Sequence, residues 1–343
     1  MAQRWSRFEL LTLAGTPAGW LSGVEACTVG RSQYRSTHWA GSLTCFGAGV
    51  EWGQYLLRPW RYERAHGVTT ASPRSVYVMA SPGRALDDGT ERHEVALYGL
   101  EATLSRTPLF GPLDIATGAV FTEVLEDRLM LRGIWPDRIA LTESTKTVPA
   151  PVHFDAGATE LEVWNHLAES VGYWGLSFSA AGQALVRPYV RPADRPPSFN
   201  LAPAADKIKP GVKEQRDDWK VPNILIGTSR LDDGTTITYT ATNDDQGPYS
   251  YAARGYWVGD DAGVVQLDCP DLATLTTAME TRLALASQAP RTWDVEVAPL
   301  PWEGGEVGRL DIEGVSAPVA VRSWTEDLVR LDADMKVTLE EVL

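Results

Sequence analysis

Apolar and polar residues alternate in short runs through the first hundred residues. In residues 23–30 (GVEACTVG), Val24, Ala26 and Thr28 fall on one face and Glu25 and Cys27 on the other. In residues 39–45 (WAGSLTC), Trp39, Leu43 and Cys45 share a face. A period of two marks a half-buried strand. Residues 76–80 and 94–100 are two more β-rich runs, with Asp87-Asp88-Gly89 between them. An Asp-Gly step between strand patterns predicts a hairpin, because both residues tolerate the positive φ of a tight turn. Short strands with Gly and Pro punctuation predict a small antiparallel barrel or sandwich.

The period changes after residue 110. Residues 119–131 place Phe121, Val124 and Leu125 near one face and Glu123, Glu126 and Asp127 opposite, a helical pattern. A second helix is predicted over 160–171. Thr159 caps it, Glu162 completes a capping box, Leu161, Trp164, Leu167, Ala168 and Val171 form the apolar stripe, and Gly172 ends it. Trp174, Leu176 and Phe178 then alternate, turn near Gly182, and return through Ala184 and Val186. Helix, helix and hairpin make a small α+β module at 111–192. The Pro- and charge-rich run from 191 to 222 keeps no period and predicts a long extended connection. β-patterns then resume: residues 223–227 and 235–240 flank a second Asp-Gly step at Asp233-Gly234. A helix is predicted over 271–287, with Leu272, Leu275, Met279, Leu283 and Ala286 on one stripe, Asp271 as cap and Pro290 as stop. Strands at 293–297, 308–312, 318–321 and 335–339 close the chain. Leu-Asp-Asp-Gly-Thr occurs at 86–90 and again at 231–235, which raises an internal repeat of one barrel. The predicted division is a first barrel at 1–110, the module at 111–192, an extended linker at 193–222 and a second barrel at 223–343.

The chain has 343 residues, and Cys27, Cys45 and Cys269 neither complete a disulfide set nor show CxxC spacing, which points to folding in a reducing compartment. No run approaches the apolar length of a membrane span, and the N-terminus lacks the pattern of a signal peptide. The net charge of −14 argues against a specific nucleic-acid groove, and the basic run 58–64 (RPWRYER) is expected to be a solvated loop face. Catalytic templates are missing: there is no HExxH, GxSxG, GxxxxGK(S/T) or GxGxxG after a strand. His153 and Asp155 form an HxD pair without a nucleophile and read as a solvated loop pair. Asp87/Asp88 and Asp232/Asp233 sit beside Gly, where Asp serves a turn rather than acid–base work. Residues 259–263 (GDDAG) lack the spaced oxygens of a calcium loop. No catalytic residue, cofactor or metal is therefore expected. Of the thirteen tryptophans, Trp39, Trp164, Trp174 and Trp293 fall on core-facing positions. Trp60, Trp135, Trp302 and Trp324 lie beside Pro or charge and are candidate interface anchors, as is Trp219 in the extended run. Stacking of exposed Trp on glycans is the alternative.

The order barrel, helix-and-hairpin module, barrel resembles the hub proteins of phage tail tips: the baseplate hub of contractile phages and the tail-associated hub of long non-contractile phages. Residues 157–189 (GATELEVWNHLAESVGYWGLSFSAAGQALVRPY) look like the family's run of cap, helix ending in Gly, strand, Gly turn, strand and Pro-Tyr. Residues 221–255 and the helix at Asp271 follow in the same order. Residues 295–308 (VEVAPLPWEGGEVG) are similar to the barrel strand entered through PLPW in minor tail proteins of actinobacterial phages, and residues 23–45 resemble their opening strands. The resemblance spans nearly the whole chain. It implies a mainly β (α+β) fold with two related tail-tube-like β-barrels and an inserted α+β module. It also implies a homotrimeric ring of pseudo-sixfold symmetry in a siphophage virion, assembled in the host cytoplasm. The implied partners are the distal tail or tail tube protein, the tape measure protein and other tip or fibre proteins, with DNA passing through an acidic lumen. The sequence stops at Leu343 without an appended peptidase, lysozyme or fibre domain, so degradation and receptor binding are expected of other proteins. The alternative is a receptor- or glycan-binding tail-tip protein. The run 191–222 is expected to lie across a neighbouring subunit or tube protein, held by Trp219, with packing on its own barrel as the alternative.

Overall fold

The computed structural model describes residues 3–342 apart from 34–36, 48, 88, 135–137, 143, 203–207, 217, 232–233, 261–262, 268, 270, 288–290, 313 and 331–332. Asp88, Trp135, Asp232, Asp233, Asp261, Ala262 and Pro290, considered above, lie outside the described residues.

The chain is mainly β. The first hundred residues form β1 (Gln3–Thr12), β2 (Pro17–Leu21), β3 (Val24–Ser32), β4 (Trp39–Phe46), β5 (Tyr55–Ala65), β6 (Val68–Pro73), β7 (Tyr77–Asp87) and β8 (Thr90–Gly99). The next ninety form α1 (Glu101–Ser105), β9 (Leu113–Ile115), α2 (Phe121–Leu131), β10 (Ile139–Leu141), β11 (Val152–Phe154), α3 (Glu160–Ser170), β12 (Ser177–Phe178) and β13 (Ala184–Val186). Then come β14 (Phe199–Leu201), β15 (Lys213–Gln215), β16 (Ile224–Arg230), β17 (Thr236–Thr242), α4 (Tyr251–Arg254), β18 (Val264–Leu267), α5 (Leu272–Ala286), β19 (Thr292–Val297), β20 (Val307–Ile312), β21 (Val315–Asp327) and β22 (Met335–Glu341). Contacts divide the chain into two compact units. The first is Met1–Gly211 with Val295–Leu339, and the second is Val212–Asp294 with Glu340–Leu343.

In the first unit one sheet runs in the order β19–β22–β21–β3–β4–β8–β7–β5–β1–β2, with β6 beside β5 and β20 beside β21. This differs from the expected division at 222/223. The closing strands join the opening ones because the C-terminal half of β21 pairs antiparallel with β3, from Ser323 opposite Ser32 to Asp327 opposite Thr28. The sheet is also curled. Between β21 and β5 lie four strands, about 24 Å of sheet at normal spacing. Yet Glu326 on β21 meets Arg61 on β5 at 3.1 Å and Arg74, just beyond β6, at 2.8 Å. All three side chains are at most 5% exposed. Burial pulls the Arg61 pKa down and Glu326 opposes that pull. The run 58–64 is therefore no solvated loop. It belongs to β5, where Arg58 pairs with Glu9 on β1 and Arg61 points inward because strand alternation puts it on the closed face.

β4 alternates as expected, with Trp39, Leu43 and Cys45 buried, but on β3 a bulge between Val24 and Ala26 breaks the expected faces: Glu25, Ala26 and Thr28 are exposed while Cys27 and Val29 turn inward. The edge of the Trp39 ring packs against Trp324 at 5.6 Å. The α+β module has its own core around Phe121, Leu125, Leu129, Leu161, Trp164 and Leu167, and this core continues into Leu11, Leu56 and Val76 of the large sheet. Thr159 and Glu162 make the capping box. Glu160, fully buried, is gripped by Arg128 of α2 and by Arg132, the residue that caps its C-terminus. The hairpin β12–β13 attaches to the sheet through its main chain: Trp39 Nε1 donates to the Phe178 carbonyl (2.9 Å), and Glu101 accepts from the Phe178 amide (3.3 Å). Gly182 turns this hairpin at φ +85°, where a Cβ would stand 2.6 Å from Val76.

The expected linker at 193–222 is partly ordered into strands. β14 pairs parallel with β20, Ile208 bridges Val297, and β15 pairs with Thr292, Trp293 and Asp294 of β19. Pro density blocks helix but not strand edges, so these short segments pair within their own chain rather than lying free.

In the second unit β17, β16 and β18 form a three-stranded sheet under α5. Its core is Leu225, Ala241, Val265, Leu275, Met279 and Leu283. Asp271 caps α5 by accepting from the Thr274 amide at 2.7 Å, whereas Leu272 is half exposed and leaves the predicted stripe. Both Asp-Gly hairpins form, but they are not equivalent. The one at Gly89 joins antiparallel β7 and β8 of the large sheet, and the one at Gly234 joins β16 and β17 of a sheet with a parallel third strand. The repeated pentapeptide does not mark matching places in two barrels.

Two substitutions test these locks. Glu326→Gln leaves two buried guanidiniums without a counter-charge and is expected to cost about 3–5 kcal/mol. Thr159→Ala removes one cap and is expected to cost about 1 kcal/mol. Urea denaturation of both variants, with circular dichroism to verify the native fold, measures them. Equal losses would show that the ion triad is solvated.

Candidate functional site

The first unit holds a cleft of about 670 Å³. Its walls come from the end of β3 (Arg31, Gln33), His38, α3 (Asn165, Glu169), the hairpin (Trp174, Ser177, Arg187) and the segments around Arg195 and 303–307. Each wall is fixed locally. Asn165 Oδ1 accepts from the Leu176 amide (3.0 Å), which sets the turn after α3. The Trp174 ring sits edge-on to Tyr189 (4.8 Å) and under the Arg195 guanidinium (5.3 Å). Arg195 also donates to the carbonyls of Gly305 (2.6 Å) and Val190 (2.8 Å). The Glu306 carboxylate accepts from the amides of Glu303 (2.5 Å) and Gly304 (2.7 Å). At Gly304, φ is +92° and a Cβ would overlap the Arg31 guanidinium, so the loop lies on Arg31 only because that side chain is missing. Burial pulls the Arg31 pKa down, while Glu306, Glu101 and Glu303 hold it up.

The Arg195 guanidinium and the Glu303 and Glu306 carboxylates are spent on loop carbonyls, loop amides and Arg187, and Arg31 lies over the Trp39 ring. That arrangement fastens segments together. His38 Nδ1 lies 3.5 Å from Glu101, and among the described residues no hydroxyl or thiol is hydrogen-bonded to His38. The three cysteines are buried and reduced, and burial pushes the Cys27 thiol far above its ordinary range.

His153 lies on β11, not in a loop, and is half exposed. Its Nδ1 is 2.6 Å from Asp114 on β9 and its Nε2 is 3.4 Å from Asp155. Strand pairing sets His153 opposite Asp114, a partner 39 positions away that the HxD pattern does not reveal. The hydrogen bond with Asp114 raises the His153 pKa above 6.5. Among the described residues no three His, Cys, Asp or Glu side chains form a metal set, and no helix is long and apolar enough to cross a membrane.

The tryptophans divide differently from their sequence neighbours. Trp302 and Trp324 are buried within the chain, Trp302 against Phe199 (4.8 Å) and Trp324 against Trp39, so neither ring is free to anchor a partner. Trp60 is half-buried and donates to Glu9 (2.7 Å). Trp219 is 72% exposed. It belongs to the second unit, where Tyr251, Tyr256 and Trp257 are also exposed.

No protein-family model matches the chain, and no curated protein matches its sequence. Its fold does have counterparts over nearly its full length. It is similar to the tail protein from Neisseria meningitidis MC58, at 13% identity, covering 98% of this chain and 97% of that one with a TM-score of 0.67. It is likewise similar to the 43 kDa tail protein of prophage MuSo2 from Shewanella oneidensis, at 13% identity, 97% and 98% coverage and a TM-score of 0.61. The E. coli protein c3393 is described as a type VI secretion component with structural similarity to the T4 bacteriophage tail proteins gp27 and gp5. It aligns at 12% identity, 97% and 76% coverage and a TM-score of 0.50. At these identities the likeness defines the fold, which is that of phage tail and tail-like proteins.

The His153–Asp114 pair gives a pH prediction. A raised histidine pKa contributes stability that is complete below the unfolded value of about 6.5 and is lost as pH rises through the native midpoint. A proton NMR titration should place the His153 midpoint above 6.5 and return it toward 6.5 in Asp114→Asn. An unchanged midpoint in the variant would dismiss the pair.

Proposed function

We propose that this chain is a structural hub protein of a phage tail tip. The observation that carries the reading is the likeness in fold to tail proteins over 97–98% of the chain, shared by a secretion-system protein itself likened to gp27 and gp5. In this reading three copies close into a ring of pseudo-sixfold symmetry. The ring joins the hexameric tail tube or distal tail protein to tip or fibre proteins, and the tape measure protein and DNA pass through it. The two related tail-tube-like barrels expected over 1–110 and 223–343 then share one continuous sheet, β1–β8 joined to β19–β22, with the α+β module of 111–192 between them in sequence. The protein acts in the virion after assembly in the host cytoplasm and carries out no catalysis. Its buried ion pairs and loop-fastening cleft suit a rigid adaptor better than a moving active site. Three copies at −14 each carry −42, and an acidic lumen lets DNA slide, whereas a basic one would hold it through phosphate contacts.

Native mass spectrometry of the purified chain should show a species three times 37.5 kDa, and a map of the assembled tail should show a ring with a carboxylate-lined lumen. A monomer at all concentrations, or a net basic lumen, rejects the hub. Hydrolysis of peptidoglycan or esters that disappears in His153→Ala would overturn the non-catalytic role.

A further inference from the structure

The second unit invests its buried polar groups in presenting aromatic rings to solvent. Asn223 is fully buried, and its side chain donates to the carbonyls of Tyr249 (3.1 Å) and Tyr256 (3.1 Å) and accepts from the Val258 amide (2.7 Å). Its own main chain bonds Val258 and Asn243. Arg254 donates to the carbonyls of Val221 (2.6 Å) and Asp218 and covers the Tyr249 ring. The Tyr249 hydroxyl donates to Asp218 (2.6 Å). This frame fixes a loop whose rings nevertheless face outward. Trp219 stands 6.1 Å from Tyr256, and Tyr251 stacks on Trp257 at 4.5 Å and 25°. An exposed aromatic cluster held by a saturated polar frame is a preformed contact surface, since burying the same rings would otherwise be favoured.

The surrounding charge selects the occupant. Among the described residues of 243–263 stand Asp244, Asp245 and Asp260 and one base, Arg254, and Lys220, next to Trp219, already has an interaction of its own. The Asp244 carbonyl accepts from the Ala252 amide, which sets that aspartate at the start of α4 beside the Tyr251–Trp257 pair. Arg216 is taken by Asp218 and Tyr249, and Arg254 by the frame. Aromatic faces and carboxylates both attract cations, while a neutral sugar gains nothing from the acidic excess. We propose that this face docks a Lys/Arg-bearing segment of a neighbouring tail protein. The proposal rests on the tail reading above for the partner's identity, but not for its chemistry.

The first test is calorimetric titration of the full chain with a twelve-residue Gly-Arg-Gly-Lys repeat peptide, alongside a Gly-Glu repeat of equal length and a chitooligosaccharide. Only the basic peptide should bind, and Trp219→Ala or Asp244→Asn with Asp245→Asn should each weaken it at least tenfold. Trp219→Phe should retain most of the binding. Circular dichroism verifies that these surface variants fold. Binding of the sugar instead, equal binding of both peptides, or no effect of the variants overturns the proposal. In the second test benzoylphenylalanine at 219 is photo-activated in assembled particles. Cross-linking to a basic segment of another tail protein supports the proposal, and cross-linking to a second copy of this chain overturns it. Absence of the chain from particles rejects the hub reading and leaves the titration to decide the docking chemistry.

Discussion

A buried carboxylate holds the large sheet closed. Glu326 has no solvent and two guanidiniums, brought from β5 and from the segment after β6. In strand order these elements lie far from β21, so the triad forms only when the sheet has curled to its final shape. Energetically such a group is a poor bargain, because desolvating three charges costs about what their attraction returns. The contacts are at ion-pair distance without hydrogen-bond alignment, which lowers that return further. What the triad supplies is selectivity. A sheet closed one residue out of register turns Glu326 to the other face and leaves Arg61 and Arg74 buried alone.

The same device recurs where the module meets its neighbours. Glu160, fully buried, ties α3 to α2 through Arg128 and Arg132. Glu101, also fully buried, holds the Phe178 amide while Trp39 holds the Phe178 carbonyl. Each carboxylate sits at a junction between elements rather than within one. Apolar packing alone tolerates sliding and repacking at such junctions, whereas a buried charge accepts one geometry.

Local patterns were legible in the sequence and long-range ones were not. The capping box at Thr159, the Asp271 cap, the inward face of β4 and the pairing of the strands that flank Gly89 and Gly234 follow from periods of 2 and 3.6 and from turn chemistry. The joining of β21 to β3 does not, since no local signal says that residues 323–327 pair with 28–32. This is why the boundary expected at 222 fails and why the repeated pentapeptide misleads. Glu326 did leave a trace: it shares its alternation with Trp324 and Leu328, all inward, so a charge stood on a core face. Arg61 was hidden by its neighbours, because a run of four Arg and Glu in seven residues looks solvated. Trp302 and Trp324 were misjudged for a similar reason. The charge beside Trp324 includes Glu326, which is itself buried on the same face, and Trp302, between β19 and β20, turns in against Phe199 whatever its flanking Pro and Glu. The cleft was illegible, as it gathers β3, α3, a hairpin and two loops.

The tryptophan count resolves into two uses with different physics. Inside, Trp39, Trp164, Trp293 and Trp324 fill volume, and Trp39 and Trp293 also give their indole N–H a partner, the Phe178 carbonyl and the Glu214 carboxylate. Satisfied in this way, an indole adds apolar burial without an orphaned donor. Outside, Trp219 and Trp257 lie against tyrosines and remain wet, so their apolar area contributes little to the folded chain by itself. A sequence that buries its rings so efficiently elsewhere has the means to bury these as well. That it instead fixes Asn223, Arg254 and Tyr249 in a frame that keeps them outward locates their stabilisation in contact with another molecule, where area now exposed is removed from water.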